Sequence, residues 1–141
     1  MNTKLESQRL QRRTGDKRKR ISIQSAKAKG RKLQQEIAKK VAEVTGCEYG
    51  KDLDIDSRPM GQAGTDVILR GKAKELFPYA IETKACESWN VHQWIDQAKA
   101  NISDFKTWLL FAKRRNSKPV VIMDAEVFFN LYAEVLWKKD D

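Results

Sequence analysis

The segment Phe77–Cys86 constrains the fold of this 141-residue chain most, because it has the composition of a buried strand and yet carries two charges. Side chains alternate across a strand, so Glu82 and Lys84 are expected on the same side of a sheet. Charged groups on an otherwise apolar strand are costly unless they have a partner or a function. The segment therefore predicts one strand of the core and, on that strand, part of a functional site.

Hydrophobic periodicity on either side of this strand predicts helices. Apolar residues recur at helical spacing from Leu33 to Val44 and again from Val91 to Ala112, and Asp124 is a suitable N-cap for a last helix. The predicted elements are a helix at 25–45, strands at 47–56, 67–70 and 77–86, a helix at 90–115, a strand at 120–123 and a helix at 125–138.

The strands complete the expected architecture. Residues 67–70 and 77–86 are predicted to form a hairpin through a polar turn at 71–75, and residues 120–123 suit a strand that is buried on both faces. The order is helix, three-strand meander, helix, strand, helix. It predicts a three-layer α/β fold with a mixed central sheet.

The positive charge of the chain is concentrated at its N-terminal end. Residues 1–40 contain 14 Lys and Arg against three carboxylates, a net charge of +11, whereas residues 41–141 contain 14 against 16, a net charge of −2. Residues 1–24 lack a sustained apolar period, so they are predicted to be a flexible basic arm ahead of a single domain at 25–141.

A polyanion is the partner that such an arm favours, since phosphate contacts add affinity that depends on salt but not on sequence. A solubilising tail and a nuclear localisation signal at 17–20 are the alternatives. The residues predicted to contact DNA in this region are Arg12, Arg13, Lys17, Arg18, Lys19, Arg20, Lys29 and Arg31.

Composition excludes several classes of protein. Cys47 and Cys86 are the only cysteines, which provides neither a disulfide framework nor a zinc cluster. No apolar run approaches the length of a membrane span, and no apolar run follows the basic N-terminus as in a secretory signal. We therefore expect a protein of the cytoplasm without membrane contact.

Two carboxylates and a lysine are predicted to converge at one end of the sheet. Asp66 opens one strand, and Glu82 and Lys84 lie on the next. Mg²⁺ prefers oxygen ligands and retains several waters, so Asp66, Glu82 and the backbone carbonyl of Thr83 form a sufficient set of protein ligands. Lys84 is then placed to orient or deprotonate a water, or to neutralise a phosphate. Phosphodiester hydrolysis requires these groups.

Polar and basic residues outside this set have either a functional or a structural interpretation. The loop at 57–64 precedes Asp66, so Arg58 and Gln62 are expected at the mouth of the site, where they can contact phosphate. A plain connection is the alternative. Lys113, Arg114 and Arg115 are predicted to end a helix, where the helix dipole favours cations without any ligand.

The motif Gly64-Thr65-Asp66, followed after a turn by Glu82-Thr83-Lys84, resembles that of the PD-(D/E)xK nuclease superfamily, with Thr65 at the position of the proline. The resemblance covers residues 26–136 and implies a restriction-endonuclease-like core. By resemblance, Asp66 and Glu82 bind a divalent metal and Lys84 is catalytic. Many members add a glutamate from the first helix, which is Glu36 here, and a glutamine from the helix after the lysine. Gln97 is the candidate for that glutamine, with Gln93 one turn earlier.

The resemblance implies a Mg²⁺-dependent DNA endonuclease, with Mn²⁺ expected to substitute and with 5′-phosphate product ends. Chain size is similar to that of phage and archaeal Holliday-junction-resolvase-like members, which implies branched DNA as the substrate and a homodimer as the working unit. A nicking or double-strand-cutting phage endonuclease is the alternative within the enzyme class. A catalytically inactive DNA-binding module on the same fold is the alternative outside it.

Overall fold

Helices and strands follow one another along residues 3–138, whose backbone is described by a computed structural model; side chains are described for residues 23–138. The elements are α1 (Thr3–Thr45), β1 (Ile55–Ser57), β2 (Val67–Leu69), α2 (Gly71–Leu76), β3 (Tyr79–Ala85), α3 (Val91–Ala100), β4 (Thr107–Lys113), β5 (Val120–Ile122) and α4 (Ala125–Lys138). No helix within these residues is both long and apolar enough to span a bilayer.

The strands form two sheets. β1 and β2 are antiparallel, with Asp56 opposite Ile68. β3 and β4 are parallel, with Glu82 opposite Leu110, and β5 adds to the other edge of β4 in antiparallel orientation. The chain is therefore a mixed α/β protein with a mixed three-stranded sheet, as the sequence predicted at this level.

Apolar side chains on the two faces of β3 and β4 form separate clusters. Leu33, Ile37 and Val41 of α1 pack with Ile81 of β3 and with the β1–β2 pair on one face. On the other face, Trp94 and Ala98 of α3 pack against Trp108, Leu110 and Ala112 of β4. Alternation along the strands produces this arrangement, since neighbouring residues point to opposite faces. Glu82, one residue after the buried Ile81, accordingly points away from the α1 cluster.

The first helix is longer than predicted. α1 begins at Thr3 rather than near Ser25, because residues 3–24 contain strong helix formers such as Leu, Arg, Lys and Gln and no proline. The predicted flexibility of residues 1–24 stays a prediction. The side chains of the predicted DNA contacts on this segment lie outside the described residues; these are Arg12, Arg13, Lys17, Arg18, Lys19 and Arg20.

The predicted helix at 90–115 is wrong in its second half. α3 ends at Ala100, and residues 107–113 form β4. Ser103 has a φ of 48° and interrupts the helical backbone. The run Trp108–Phe111 is apolar at every position and fits a strand that is covered on both faces as well as it fits a helical stripe.

The predicted meander is also wrong. Residues 71–76 form the short helix α2 instead of a turn, and β2 pairs with β1 while β3 pairs with β4. One backbone hydrogen bond, from Asp66 N to Ile81 O at 2.9 Å, connects β2 to β3 in place of a hairpin. The strand predicted at 47–56 shrinks to Ile55–Ser57.

The C-terminal elements were predicted with mixed success. α4 begins where expected, because Asp124 Oδ1 accepts hydrogen bonds from the backbone N–H groups of Glu126 (2.9 Å) and Val127 (3.4 Å). The strand at 120–123 was predicted to be buried on both faces. β5 is instead an edge strand, and Val120 and Val121 are about half exposed.

Candidate active site

Asp66, Glu82 and Lys84 line one open cavity of about 480 Å³, which we call the acidic cavity. Its walls are α1, the loop at 60–64, β3 and the C-terminal end of α3. The sequence predicted that these three side chains converge, and the structure brings them together. Thr83 and Gln97 line the same cavity.

The backbone of Asp66 is fixed from three directions. Its N–H donates to Ile81 O at 2.9 Å, and its carbonyl accepts from Arg58 N at 2.9 Å. The same carbonyl accepts from Nε2 of Gln34, which also donates to Arg58 O at 2.8 Å. Gln34 is 3% exposed, so α1 holds the start of β2 through a buried amide. Removal of this amide would leave buried carbonyl groups unpaired, which is costly.

The carboxylate of Asp66 is oriented by the neighbouring strand. Asp66 Oδ2 accepts from the backbone N–H of Thr83 at 2.7 Å and from Thr83 Oγ1 at 3.3 Å. Thr83 lies between Glu82 and Lys84 on β3. The contact therefore fixes the first carboxylate against the strand that carries the second one.

Glu82 is a buried carboxylate beside another carboxylate. It is 3% exposed, and its Oε1 accepts from Asn101 Nδ2 at 2.8 Å. Burial first, and the charge of Asp66 second, raise the pKa of Glu82 to about 7. The hydrogen bond from Asn101 and the charge of Lys84 oppose this rise in pKa. The ionised pair is therefore costly unless additional positive charge is present.

This donor set suits a divalent cation. Hard cations such as Mg²⁺ take carboxylate and carbonyl oxygens, and a 2+ charge offsets the repulsion between Asp66 and Glu82. No cluster of three or more His, Cys, Asp or Glu side chains with metal-binding geometry occurs in the described part of the chain. A cation here would thus be held by two carboxylates, the carbonyl of Thr83 and waters.

Of the two accessory residues predicted by resemblance, one lies in the acidic cavity. Gln97 lines it from α3, whereas Gln93 accepts from Asn90 Nδ2 at 2.9 Å at the start of that helix. Glu36 is exposed and lines a different cavity on the other side of α1, so its assignment to the active site is wrong. In a helix of 3.6 residues per turn, Glu36 lies about 200° from Gln34, the residue that α1 contributes instead.

Gln34 and Asn101 are the site residues that sequence reasoning missed. Gln34 had a signal: it lies within the buried stripe of Leu33, Ile37, Ala38 and Val41, where a polar residue requires a partner. Asn101 was hidden by the helix wrongly predicted through residue 115, because only the true end of α3 at Ala100 places it beside Glu82.

The loop before Asp66 contributes one predicted residue to the cavity. Gln62 lines it. Arg58 instead braces the loop, since its Nε donates to Thr65 O at 2.5 Å and its guanidinium packs on Gly64. A Cβ at Gly64 would lie 2.8 Å from Arg58 Cζ, and Gly64 has a φ of +117°, so this position requires glycine. Arg58 thus has a structural role in the loop, and its predicted contact with phosphate stays a prediction.

The two remaining predicted DNA contacts of α1 lie away from the acidic cavity. Lys29 lines the second cavity, and Arg31 is exposed.

Comparisons with protein-family models, with curated proteins and with solved structures return no significant match. The assignment of a function therefore depends on the geometry of the acidic cavity.

Proposed function

We propose that this chain is a divalent-metal-dependent DNA endonuclease with a PD-(D/E)xK site and a restriction-endonuclease-like core. The observation that carries the proposal is the burial of Glu82 beside Asp66 in a cavity that also contains Lys84. Two carboxylates forced together next to an amine are costly for a protein that only needs to fold. They suit in-line hydrolysis of a phosphodiester, because a metal ion held by carboxylates can activate water and stabilise the developing charge.

Each residue has a distinct part in the proposed reaction. Asp66, Glu82 and the carbonyl of Thr83 are the ligands for Mg²⁺, which supplies Lewis acidity and lowers the pKa of water when bound. Lys84 lies on the same side of β3 as Glu82, where its ammonium group orients the attacking water and neutralises the phosphate oxygens. Asn101 holds the Glu82 carboxylate in one orientation. Gln97 contacts the substrate from the rim of the cavity.

DNA as the substrate is supported by charge. The 14 Lys and Arg among residues 1–40 give this end of the chain a net charge of +11, which favours a polyanion. Within DNA, we propose branched structures of the Holliday-junction type as the preferred substrate. Nicking or double-strand cleavage of linear DNA is the alternative outcome of the test.

A homodimer is supported by the apolar surface of α4 and β5. Phe128, Phe129, Tyr132 and Trp137 of α4 are 48–77% exposed. At 150–250 Å² per aromatic side chain, they expose roughly 400–600 Å² per chain. Val135 and Leu136 of α4 and Val120 and Val121 of β5 are also about half exposed, so both elements carry apolar area that a dimer interface could bury. The free edge of β5 can pair with the same strand of a second copy across a two-fold axis.

Sedimentation velocity tests the dimer. We expect a dimer for the unchanged chain and a monomer for Phe129→Asp, because a buried carboxylate without a partner disrupts an apolar interface. Leu76→Asp is the matched control, since Leu76 is 52% exposed on α2, and it should remain dimeric. A monomeric unchanged chain, or a dimer that Phe129→Asp leaves intact, would contradict this part of the proposal.

Incubation with labelled DNA tests the nuclease activity. The purified chain is mixed with a four-way junction and with linear duplex, in Mg²⁺ and in EDTA. We expect Mg²⁺-dependent cleavage with 5′-phosphate ends and a preference for the junction. Asp66→Asn and Lys84→Ala should abolish it, whereas Asp96→Asn and Lys72→Ala, both exposed, should not.

The possible outcomes separate the alternatives. Binding of DNA without cleavage in any metal would support an inactive DNA-binding module on the same fold. Equal cleavage of junction and linear DNA would support the phage endonuclease alternative. Cleavage that persists in both Asp66→Asn and Lys84→Ala would show that the site assignment is wrong.

A further inference from the structure

A second cavity of about 740 Å³ lies between α1 and the ends of β3 and β4, and we call it the basic groove. Five cationic side chains line it, and two carboxylates, Glu36 and Glu87, accompany them. The five cations are Lys29, Lys32, Lys113, Arg114 and Arg115. This concentration of positive charge stands out because residues 41–141, which contribute three of the five, have a net charge of −2 overall.

The cations of the basic groove have no carboxylate partner within residues 23–138. The ion pairs among these residues join Lys40 to Glu43, Arg70 to Asp56, and Lys74 to Asp104. Five positive charges against two carboxylates give the groove lining a formal net charge of +3, which attracts anions.

Glu87 Oε1 accepts from the backbone N–H of Arg115 at 2.9 Å and so fixes the turn after β4. The guanidinium of Arg114 lies 5.4 Å from the centre of the Trp89 ring, which holds it at the rim by a cation–π contact. Both contacts order the cationic wall of the groove.

The position of Lys113, Arg114 and Arg115 removes the simpler explanation for their charge. The sequence placed them at the end of a helix, where the dipole alone would favour cations. They lie instead at the end of β4 and in the turn that follows. A strand end has no comparable dipole, so a helix dipole does not account for the cluster.

The basic groove and the acidic cavity are lined by consecutive residues of the same two elements, α1 and β3. On α1, Gly30 and Gln34 line the acidic cavity, while their neighbours Lys29 and Leu33 line the groove. On β3, Lys84 lines the acidic cavity and the next residue, Ala85, lines the groove. Consecutive Cα atoms are about 3.8 Å apart, so the two cavities lie within the width of a DNA duplex of each other. In contrast, the loop at 59–64 on the other wall carries no charged side chain.

We propose that the basic groove binds backbone phosphates of the DNA that is cut in the acidic cavity, on one side of the scissile phosphate only. This inference rests on the proposed function for the identity of the polymer. The groove accounts for binding and the acidic cavity for the chemistry, so each can be impaired without the other. The forked donors of Arg114 and Arg115 and the ammonium groups of Lys29 and Lys32 are suited to phosphate oxygens from opposite walls.

DNA binding in EDTA tests this inference without any cleavage. Lys32→Gln/Arg115→Gln removes one cation from each wall. The matched control is Lys72→Gln/Lys118→Gln, which removes two exposed cations that lie outside residues 1–40 and line neither the acidic cavity nor the basic groove. Dissociation constants of a duplex and a junction are measured by fluorescence anisotropy from 50 to 300 mM salt, after circular dichroism has shown that both variants melt like the unchanged chain.

We expect the groove variant to bind roughly 10-fold more weakly at 150 mM salt. The slope of log Kd against log salt should fall by about 1.8, or 0.9 for each of the two phosphates that the variant no longer neutralises. The control should change the dissociation constant by less than about twofold, because exposed charges beyond the Debye length of ~8 Å are screened. Equal effects of the two variants would overturn the inference, as would an unchanged chain that does not bind DNA.

Shortening the DNA on either side of the cut tests the one-sided geometry. Removal of DNA on one side should weaken binding by the unchanged chain more than binding by the groove variant, since the groove variant retains only three of the five cations on that side. Removal on the other side should affect both proteins equally. Additive effects on both sides would contradict the inference. Binding without Mg²⁺-dependent cleavage would overturn the proposed nuclease activity but not the proposed role of the basic groove. Cleavage by the unchanged chain, together with a groove variant that binds DNA as tightly as the control, would overturn only the role of the groove.

Discussion

The acidic cavity and the basic groove share the same two walls, α1 and β3, but differ in how their charges are held. In the acidic cavity, Glu82 is buried, and hydrogen bonds orient both of the carboxylates, Asp66 and Glu82. In the basic groove, the cations are mostly exposed and have no carboxylate partner within residues 23–138. Fixed, buried charges suit bond breaking, whereas exposed charges suit binding to an extended polyanion.

The largest expected difference between the two regions is in turnover. Glu82→Gln should lower kcat by about 10²–10³-fold, because it removes one of two carboxylates that hold the cation opposite the developing charge. Its dissociation constant for DNA in EDTA should change little. Lys32→Gln/Arg115→Gln should show the opposite pattern, with KM raised and kcat retained. Single-turnover cleavage together with anisotropy measures both quantities.

Glu75→Gln is the matched control for Glu82→Gln, since Glu75 is an exposed residue of α2 that lines neither cavity. It should behave like the unchanged chain in both measurements. If Glu82→Gln and the groove variant changed KM and kcat in the same proportions, the assignment of catalysis to the acidic cavity and of binding to the basic groove would be refuted.

The next largest effect concerns the support of Glu82. Asn101→Ala removes the donor to Glu82 Oε1 and is expected to weaken metal affinity by about 10–100-fold, as is typical for the partners of metal ligands. Excess Mg²⁺ should therefore restore most of the activity of Asn101→Ala but not that of Glu82→Gln. Cleavage rates across a Mg²⁺ titration provide the measurement, and the same Mg²⁺ dependence in Asn101→Ala and the unchanged chain would contradict this role.

A smaller effect is expected on stability. Glu82 has a pKa of about 7 in the folded protein, whereas the ordinary pKa of a glutamate is 4.5. Between these values the folded state binds more protons than the unfolded state, so stability falls as pH rises through this window. In EDTA, the melting temperature of the unchanged chain should therefore fall relative to that of Glu82→Gln between pH 5 and pH 7.5, and Mg²⁺ at pH 7.5 should reverse the difference. A difference independent of pH would show that Glu82 is not destabilised by its surroundings.

The sequence predicted the acidic cavity better than it predicted the fold. The shared side of Glu82 and Lys84 on β3 was predicted correctly, because side chains alternate along any strand. This alternation does not depend on which strands β3 pairs with. The α3–β4 region was misread because residues 102–112 are apolar at positions that satisfy both helical and strand periods. The true end of α3 depends on Ser103 at positive φ and on burial between two layers, neither of which a periodic pattern reports.

The helix residue was misassigned for a related reason. Resemblance favoured Glu36 because a carboxylate was expected from the first helix, but the direction of a side chain on a helix is fixed by its angular position. Gln34 shares the buried stripe with Leu33, and Glu36 does not. The basic groove could not have been predicted, since it unites α1 with the turn after β4, and that turn was interpreted as part of a helix.

The claim that Asp66 and Glu82 together bind a divalent cation is the centre of this account, and Mn²⁺ titration of the full chain by calorimetry at pH 7.5 tests it most directly. We predict saturable binding by the unchanged chain and by Glu75→Gln, and no such binding by Asp66→Asn or Glu82→Gln. Equal Mn²⁺ affinity in all four proteins, or no saturable binding in the unchanged chain, would contradict the account.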